Sequence, residues 1–194
     1  MTAETGSEID ERTIRTSRLI LRRPVDADIP AITAIANNHR IAQNLASMPH
    51  PFGEEDAAQW VARFKHADGK TRGGYMILLR GGEKLIGACG FGPVKDLRLP
   101  QLGYWVGEPY WGQGYATEAG WAVIDYVFNK TSIPVLGCGC RVTNHASRRV
   151  IDKCGFLYDG LGMMYSRYKD KPVPVLNFSI DRETWEMARS EEAA

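Results

Sequence analysis

The sequence predicts a single domain of mixed α/β class. Short apolar segments typical of strands are interleaved with longer segments whose apolar residues recur every three or four positions, as on one face of a helix. The 194 residues fit one domain, and the chain has no internal repeat or low-complexity linker. With 44% hydrophobic and 24% charged residues, the composition is typical of a globular protein with a sizeable core.

We divide the chain into a flexible leader (residues 1–15), one folded domain (16–181) and a tail (182–194). The leader is polar and acidic, without the apolar run of a signal peptide. No stretch approaches the roughly 20 apolar residues of a membrane span. These features predict a cytoplasmic protein.

The first half of the domain is predicted to begin with a strand at residues 18–23, which alternates and ends at Pro24. Asp26 and Asp28 offer N-caps for a helix that carries Ile29, Ile32 and Ile35. Apolar residues at helical spacing predict a second helix at 54–66. Three strands follow, at 75–79, 84–91 and 101–107, the first two joined by a hairpin turn.

The second half begins with a glycine-rich turn at 112–116. The elements predicted after it are a helix at 117–128, a strand at 135–141, a helix at 146–153 ended by Gly155, closing strands at 156–161, 163–168 and 173–180, and a helical turn or two at 182–189. If the strand at 173–180 were exposed at a sheet edge, it could pair across a homodimer.

Charge and cysteine content exclude several classes of partner. The net charge of +1 gives no field that would attract nucleic acid or an anionic membrane, so neither is expected as a partner. The four cysteines are expected to be reduced thiols. Cys138 and Cys140 with His145 suggest a metal site, but the spacing is not that of paired C-x-x-C knuckles, and no metal is expected.

The strongest local signal is the segment YWGQGYATEA at residues 110–119, where a predicted strand runs through glycines into a helix. Such a helix start presents unpaired N–H groups at its positive end and lets a phosphate approach the main chain. The segment lacks the Lys-Ser/Thr ending of a P-loop and the G-x-G-x-x-G fingerprint. Alone, it is equally consistent with a tight turn.

A second segment, NHASRRVIDKCGF at residues 144–156, changes this balance. Together with TSRLILRRPVDAD, GACGF, LGYWV and EPYWGQGYATEA, in that order, it resembles the GNAT superfamily of acyl-CoA-dependent N-acetyltransferases. The chain resembles most the RimJ/RimL-like branch, the ribosomal-protein N-terminal acetyltransferases. The resemblance covers residues 16–181.

The resemblance implies a mixed, mostly antiparallel sheet, splayed between its fourth and fifth strands and flanked by helices, with acetyl-CoA as co-substrate. The pantetheine arm would lie against the main chain of Trp105 and Val106, and Asn144 would reach the CoA arm. The expected pyrophosphate-binding amides are those of Gln113, Gly114, Tyr115, Ala116 and Thr117. Trp111 stands where the superfamily often has Gln or Arg, so no polar contact is expected from its side chain.

Transfer requires a neutral amine and a proton for the departing thiolate. Many superfamily members have a tyrosine where this chain has Ile151, and the branch has instead a serine, here Ser147, which is expected to act near the thiol and to contact CoA. It could alternatively only cap a helix. The branch glutamate is replaced by Gln101, which leaves Glu108 and Tyr104 as candidates for proton transfer or orientation.

The replacement of the branch glutamate by Gln101 leaves no obvious strong base, which affects the kind of amine that the site can accept. At pH 7, deprotonating a peptide α-amine costs about 1–1.4 kcal/mol, whereas a lysine costs about 4.6 kcal/mol. The predicted function is therefore N-acetylation of a protein or peptide N-terminus by direct attack in a ternary complex. Two alternatives are a small-molecule amine acetyltransferase and a non-catalytic acyl-CoA sensor.

Overall fold

The computed structural model describes residues 13–82 and 84–192, which form an eight-stranded sheet with helices on both faces. The strand order is β1-β2-β3-β4-β5-β6-β8-β7, and β5 and β6 are its parallel neighbours. The strands are β1 (Ile14–Arg15), β2 (Leu19–Arg22), β3 (Gly73–Leu79), β4 (Leu85–Gly92), β5 (Gln101–Val106), β6 (Val135–Arg141), β7 (Leu157–Ser166) and β8 (Lys171–Asp181). The predicted mixed, mostly antiparallel sheet is confirmed.

Six α-helices cover the sheet, three on each face. They are α1 (Ile29–Ala36), α2 (His39–Ala42), α3 (Glu54–Lys65), α4 (Tyr115–Lys130), α5 (His145–Lys153) and α6 (Arg182–Glu192). One core joins α1, α2 and α3 to the sheet through residues such as Ile32, Val61 and Met76. The other joins α4 and α5 through residues such as Val123 and Ile151, with α6 packed against it. We call these the α1–α3 face and the α4–α6 face.

The parallel strands β5 and β6 separate after two paired positions, Gln101–Gly137 and Leu102–Cys138. Residues 103–106 of β5 stay paired with β4, but no strand of the described part of the chain lies on their other side. We call the opening between these residues and residues 139–141 of β6 the gap. It is the expected splay, here between the fifth and sixth strands because the short β1 adds one to the count.

The end of the sheet differs from the prediction. Instead of three closing strands there are two, because β7 continues through a register shift between Tyr158 and Gly160, where Gly160 has φ 135°. β8 lies between β6 and β7, so the segment 173–180 is paired on both sides and cannot be the predicted edge. The two edge strands of the described sheet are β1 and β7, and β7 is the one that pairs with β8.

Two predictions about helix ends had opposite outcomes. Asp28 precedes α1 but makes no side-chain cap to it, because its carboxylate binds the Arg22 guanidinium at 2.7 Å. Gly155 follows α5 with φ 75°, the left-handed conformation in which glycine is favoured. The prediction of a glycine cap there is confirmed.

The chain ends also show more regular structure than predicted. The predicted leader lies outside the described residues up to residue 12, and Ile14–Arg15 pair with β2. In the predicted tail, Arg182–Glu192 forms α6, whose Trp185 ring lies 5.5 Å from that of Phe128.

All four cysteines are buried. Burial raises the pKa of the Cys89 and Cys138 thiols, which disfavours the thiolate form. Residues 13–82 and 84–192 contain no cluster of three or more His, Cys, Asp or Glu side chains that could hold a metal ion. None of the helices in this part of the chain is long and apolar enough to cross a membrane.

Candidate active site

The open edge of β5 presents main-chain polar groups to the gap. Pro100 O accepts a hydrogen bond from Gly137 N of β6 at 2.8 Å, so even-numbered residues direct their main-chain groups to this side. Because the direction alternates along a strand, the main-chain groups of Tyr104 and Val106 point into the gap. An extended ligand with amide groups can therefore pair with β5 here, as an additional strand would.

Trp105 is oriented differently from the prediction. A Cβ atom added to Gly87 of β4 would lie 2.3 Å from Trp105 O, so this carbonyl faces β4 and not the gap. The Trp105 side chain packs against the core of the α1–α3 face. The expected main-chain contact to a ligand thus fits Val106 and its neighbour Tyr104 better than Trp105.

The glycine loop, residues 111–114, leads from β5 into α4. Gly112 and Gly114 have φ 75° and 81°, left-handed values that side chains disfavour. Gly114 is the N-cap and no side chain caps the helix. The first-turn N–H groups of α4 are therefore available to an anion, as the sequence predicts for Gln113, Gly114, Tyr115, Ala116 and Thr117.

A basic residue that the sequence did not indicate lies beside this loop. Arg18 Nη1 donates to Gln113 O at 2.9 Å, and its guanidinium lies 4.8 Å from the centre of the Tyr115 ring. The two partners are about a hundred positions from Arg18 in the chain, so no local pattern could have indicated this contact. Arg18 adds positive charge beside the helix start.

Glu118 holds the Arg18 segment in place. It accepts hydrogen bonds from Thr16 Oγ1 at 2.6 Å and Arg18 N at 2.9 Å, and forms an ion pair with Arg18 Nε at 2.6 Å. Burial alone would raise its pKa, but these hydrogen bonds outweigh burial and lower it. These contacts are a sufficient structural explanation for Glu118.

Trp111 makes a polar contact that was not expected. Its indole Nε1 donates to Val106 O at 2.6 Å, which joins the glycine loop to the end of β5. On its other side the ring lies 5.3 Å from the Arg40 guanidinium. Trp111 therefore positions the glycine loop through its hydrogen bond to β5 of the same protein.

At the start of α5, a pair of hydroxyl groups links the two sides of the gap. Asn144 Oδ1 caps the helix by accepting from Ser147 N at 3.1 Å. The Tyr104 hydroxyl lies 2.8 Å from Ser147 Oγ, and we call these two groups the hydroxyl pair. Burial, aided by the Cys138 thiol, raises the pKa of Tyr104 well above its ordinary value and outweighs the opposing effect of Ser147. The phenol therefore stays protonated at neutral pH.

Glu108 lies on the α1–α3 side of the glycine loop. Its carboxylate accepts a hydrogen bond from Asn38 Nδ2 at 2.7 Å and forms an ion pair with Arg40. Both oxygens are thus already bonded. A role in accepting a proton would require this carboxylate to exchange one of these partners.

Other aromatic and basic side chains have contacts within the protein. Phe52 is buried in the core of the α1–α3 face, and the Trp60 ring lies 4.8 Å from that of Phe64. Arg148 is ion-paired with Asp152 at 2.7 Å, whereas Arg149 is exposed.

The arrangement has three parts: main-chain groups along a gap, an anion-binding helix start at one end, and the hydroxyl pair beside it. These parts suit a long ligand with amide groups and a diphosphate, whose reactive end lies near the hydroxyl pair. The reactive end of such a ligand could then be reached from either face of the sheet.

Comparisons with known proteins agree with this geometry. Residues 18–157 match the family described as an acetyltransferase (GNAT) domain. The uncharacterized N-acetyltransferase YoaA of Bacillus subtilis is 28% identical over 174 residues, which cover 86% of this chain and 95% of that protein. The ribosomal-protein-serine acetyltransferase of Escherichia coli is 29% identical over 86 residues, 44% of this chain and 48% of that protein. RimJ of Mycobacterium smegmatis, in complex with a CoA disulfide, shares the fold, with a TM-score of 0.75, 21% identity and 93% of each chain covered.

Proposed function

Because this chain belongs to the GNAT family of acetyltransferases, we propose that it acetylates the α-amine of a protein or peptide N-terminus. The observation that carries the proposal is the hydroxyl pair, which places Ser147 Oγ 2.8 Å from the Tyr104 phenol at the open edge of β5. The N-acetyltransferase relatives support the transferase activity, and the name of the Escherichia coli relative supports a protein acceptor.

The residues present fit acetyl-CoA. The gap-facing main chain of Tyr104 and the N–H group of Val106, whose carbonyl already accepts from Trp111, would pair with the pantetheine amides. The α4 amides predicted from the sequence would hold the pyrophosphate. Arg18 adds positive charge next to them. The side-chain oxygen of Asn144 already accepts the hydrogen bond that caps α5. Its amide nitrogen would therefore be the group that contacts the CoA arm.

When bound, acetyl-CoA supplies an activated acyl thioester. Ser147 would give a proton to the departing sulfur and regain one, through water, from the attacking amine. The Tyr104 phenol, which stays protonated, would orient the serine hydroxyl. The helix N-terminus of α5 is electropositive, which favours negative charge that develops beside Ser147. These roles require only groups that the fold already brings together.

The acceptor amine would enter from the α1–α3 face, opposite the helix starts that favour the pyrophosphate. An α-amine is favoured because both Glu108 oxygens are already bonded and Gln101 is uncharged, which leaves water to carry the proton of an easily deprotonated amine. We place the reaction in the cytoplasm, where acetyl-CoA and nascent proteins meet.

The test is thiol release from acetyl-CoA with N-terminal peptides, lysine peptides and small amines, alongside titration of acetyl-CoA binding. We expect N-terminal peptides to be preferred at pH 7, and Ser147→Ala to lower kcat by about 100-fold. Faster turnover of small amines would support the alternative of a small-molecule acetyltransferase. Tight binding of acetyl-CoA without release from any amine would support a sensor.

A second copy of the chain is the partner we propose for the edge strand β7. Its exposed side chains are large and apolar, with Leu161 72% and Met163 65% exposed, and an antiparallel partner would satisfy its free main-chain groups. Light scattering is expected to show a dimer for the native chain and a monomer for Leu161→Lys. A native chain that is monomeric at high concentration would refute the proposal.

A further inference from the structure

Arg141 ends β6 at the mouth of the gap, and its side chain is turned to the α1–α3 face. Cys138 and Cys140 belong to the core of the α4–α6 face, so the alternation along the strand directs Arg141 to the opposite side. In agreement, Arg141 Nη1 donates to Gln43 O, just after α2, at 2.6 Å. The guanidinium therefore lies on the face from which the acceptor would enter.

Among residues 13–82 and 84–192, no carboxylate forms an ion pair with Arg141. Its Nε is buried and has no hydrogen-bond partner in this part of the chain. A guanidinium stays charged at any ordinary pH. Because a buried donor without a partner is destabilising, such a group in a binding region indicates that a ligand supplies the partner.

The neighbouring positions leave room for such a ligand. Gly139 on β6 and Gly103 on β5 are both exposed, and a Cβ added to Gly103 would meet no atom within 4 Å. Asn177, paired with Gly139 in the sheet, is also exposed and adds a polar amide to the same region. The α1–α3 face of the sheet beside Arg141 is thus open, with main-chain and amide groups exposed on it.

We propose that Arg141 binds a carboxylate of the acceptor, so that the preferred substrates carry an acidic group close to the amine that is acetylated. Gln43 O occupies Nη1, which leaves the edge formed by Nε and Nη2, a shape that matches the two oxygens of a carboxylate. The inference rests on the proposed function and narrows its substrate class.

The carboxylate can come from an acidic side chain next to a peptide N-terminus or from a small amino-acid derivative. The experiment therefore compares two matched pairs of acceptors: peptides that differ only by Glu or Gln at the second position, and a free amino acid against its amide. For each pair, kcat/KM and the Kd of the acceptor in the presence of CoA are measured. The pair with the larger acid preference identifies the source.

We expect the native enzyme to prefer the acidic member of one pair by about 10- to 100-fold, the range of a charge-assisted hydrogen-bonded pair. The preference should fall to near one in Arg141→Gln and return in part in Arg141→Lys. The matched control is Arg167→Gln, because Arg167 already has a carboxylate partner, Asp56 at 3.2 Å. This variant should keep the preference.

The two proposals fail in different ways. If the native chain releases no thiol with any amine, the transferase proposal fails, and the Kd ratios still test Arg141. If the native chain shows no acid preference in either pair, or Arg141→Gln keeps it, Arg141 only anchors Gln43 and the inference is wrong.

Discussion

The Tyr104 phenol and the Ser147 hydroxyl lie 2.8 Å apart although 43 positions separate them in the chain. Tyr104 lies on β5, and Ser147 lies in the first turn of α5, which follows β6 in the chain. The contact therefore links the two sides of the gap at which β5 and β6 diverge. The serine is thereby held from both sides, by its own helix cap and by a phenol that does not ionise at neutral pH.

Replacing Tyr104 with Phe should lower kcat by about tenfold and leave the KM for acetyl-CoA within about twofold, because only the hydroxyl that orients Ser147 is lost. Steady-state kinetics at saturating acceptor would measure both constants. Tyr126→Phe is the control, because the Tyr126 ring packs against Tyr75 and Phe91 and not against Ser147, and it should match the native enzyme. An unchanged kcat for Tyr104→Phe would remove the phenol from the mechanism.

Trp111→Phe should weaken acetyl-CoA binding by about five- to tenfold, since it removes the hydrogen bond from the indole to Val106 that positions the glycine loop. Isothermal titration would measure the Kd. Trp185→Phe removes a similar indole bond, to Asp125 at 2.8 Å, far from the loop. That variant should lose stability and keep its affinity. Equal affinities for both variants would contradict the positioning role.

Glu118→Gln should destabilise the fold in a pH-dependent manner. The folded-state pKa of Glu118 lies below its ordinary value of 4.5, so its carboxylate adds stability above pH 4.5 that is lost as the pH falls through the lower folded-state value. The difference between native and variant should be about 1–2 kcal/mol at pH 7 and shrink below pH 4.5.

Urea unfolding at several pH values would measure these differences. Glu55→Gln is the control for Glu118, because Glu55 is also in the first turn of a helix but is exposed. This variant should change stability little at any pH. A destabilisation by Glu118→Gln that stays constant down to pH 3 would show that the carboxylate charge is not the cause.

Gly103→Leu should leave acetyl-CoA binding within a few-fold and lower acceptor turnover by more than tenfold. The new side chain would project from β5 to the α1–α3 face, where nothing lies within 4 Å of its Cβ, so the fold has space for it and the acceptor does not. Gly82→Leu, in an exposed hairpin turn, is the control. Full turnover by Gly103→Leu would place the acceptor route elsewhere.

The elements were predicted well where the signal is local. Apolar periodicity located most helices and strands to within a few residues, and the left-handed Gly155 was expected from its place after α5. Contacts between distant segments could not be predicted. Asp28 was expected to cap a helix because its competing partner, Arg22, is brought close only by the fold.

The candidate site shows the same division. The residues of the glycine loop and Ser147 could be proposed as site residues from motifs, since each lies in a short contiguous segment. Arg18 was missed because its contact with Gln113 O joins the first strand region to the start of α4. The direction of the Trp105 carbonyl depends on strand pairing, which a single sequence does not reveal.

The two-pair junction of β5 and β6 has a consequence for the dynamics of the sheet. Amide hydrogens of β5 that face the gap lack a strand partner and should exchange with solvent quickly in the free protein. Binding of an extended ligand along this edge would close it as an additional strand does, and exchange there should slow by orders of magnitude. Bound acetyl-CoA would then act as a structural element of the sheet. It would join two half-sheets that, in the described part of the chain, are paired with each other at only two positions.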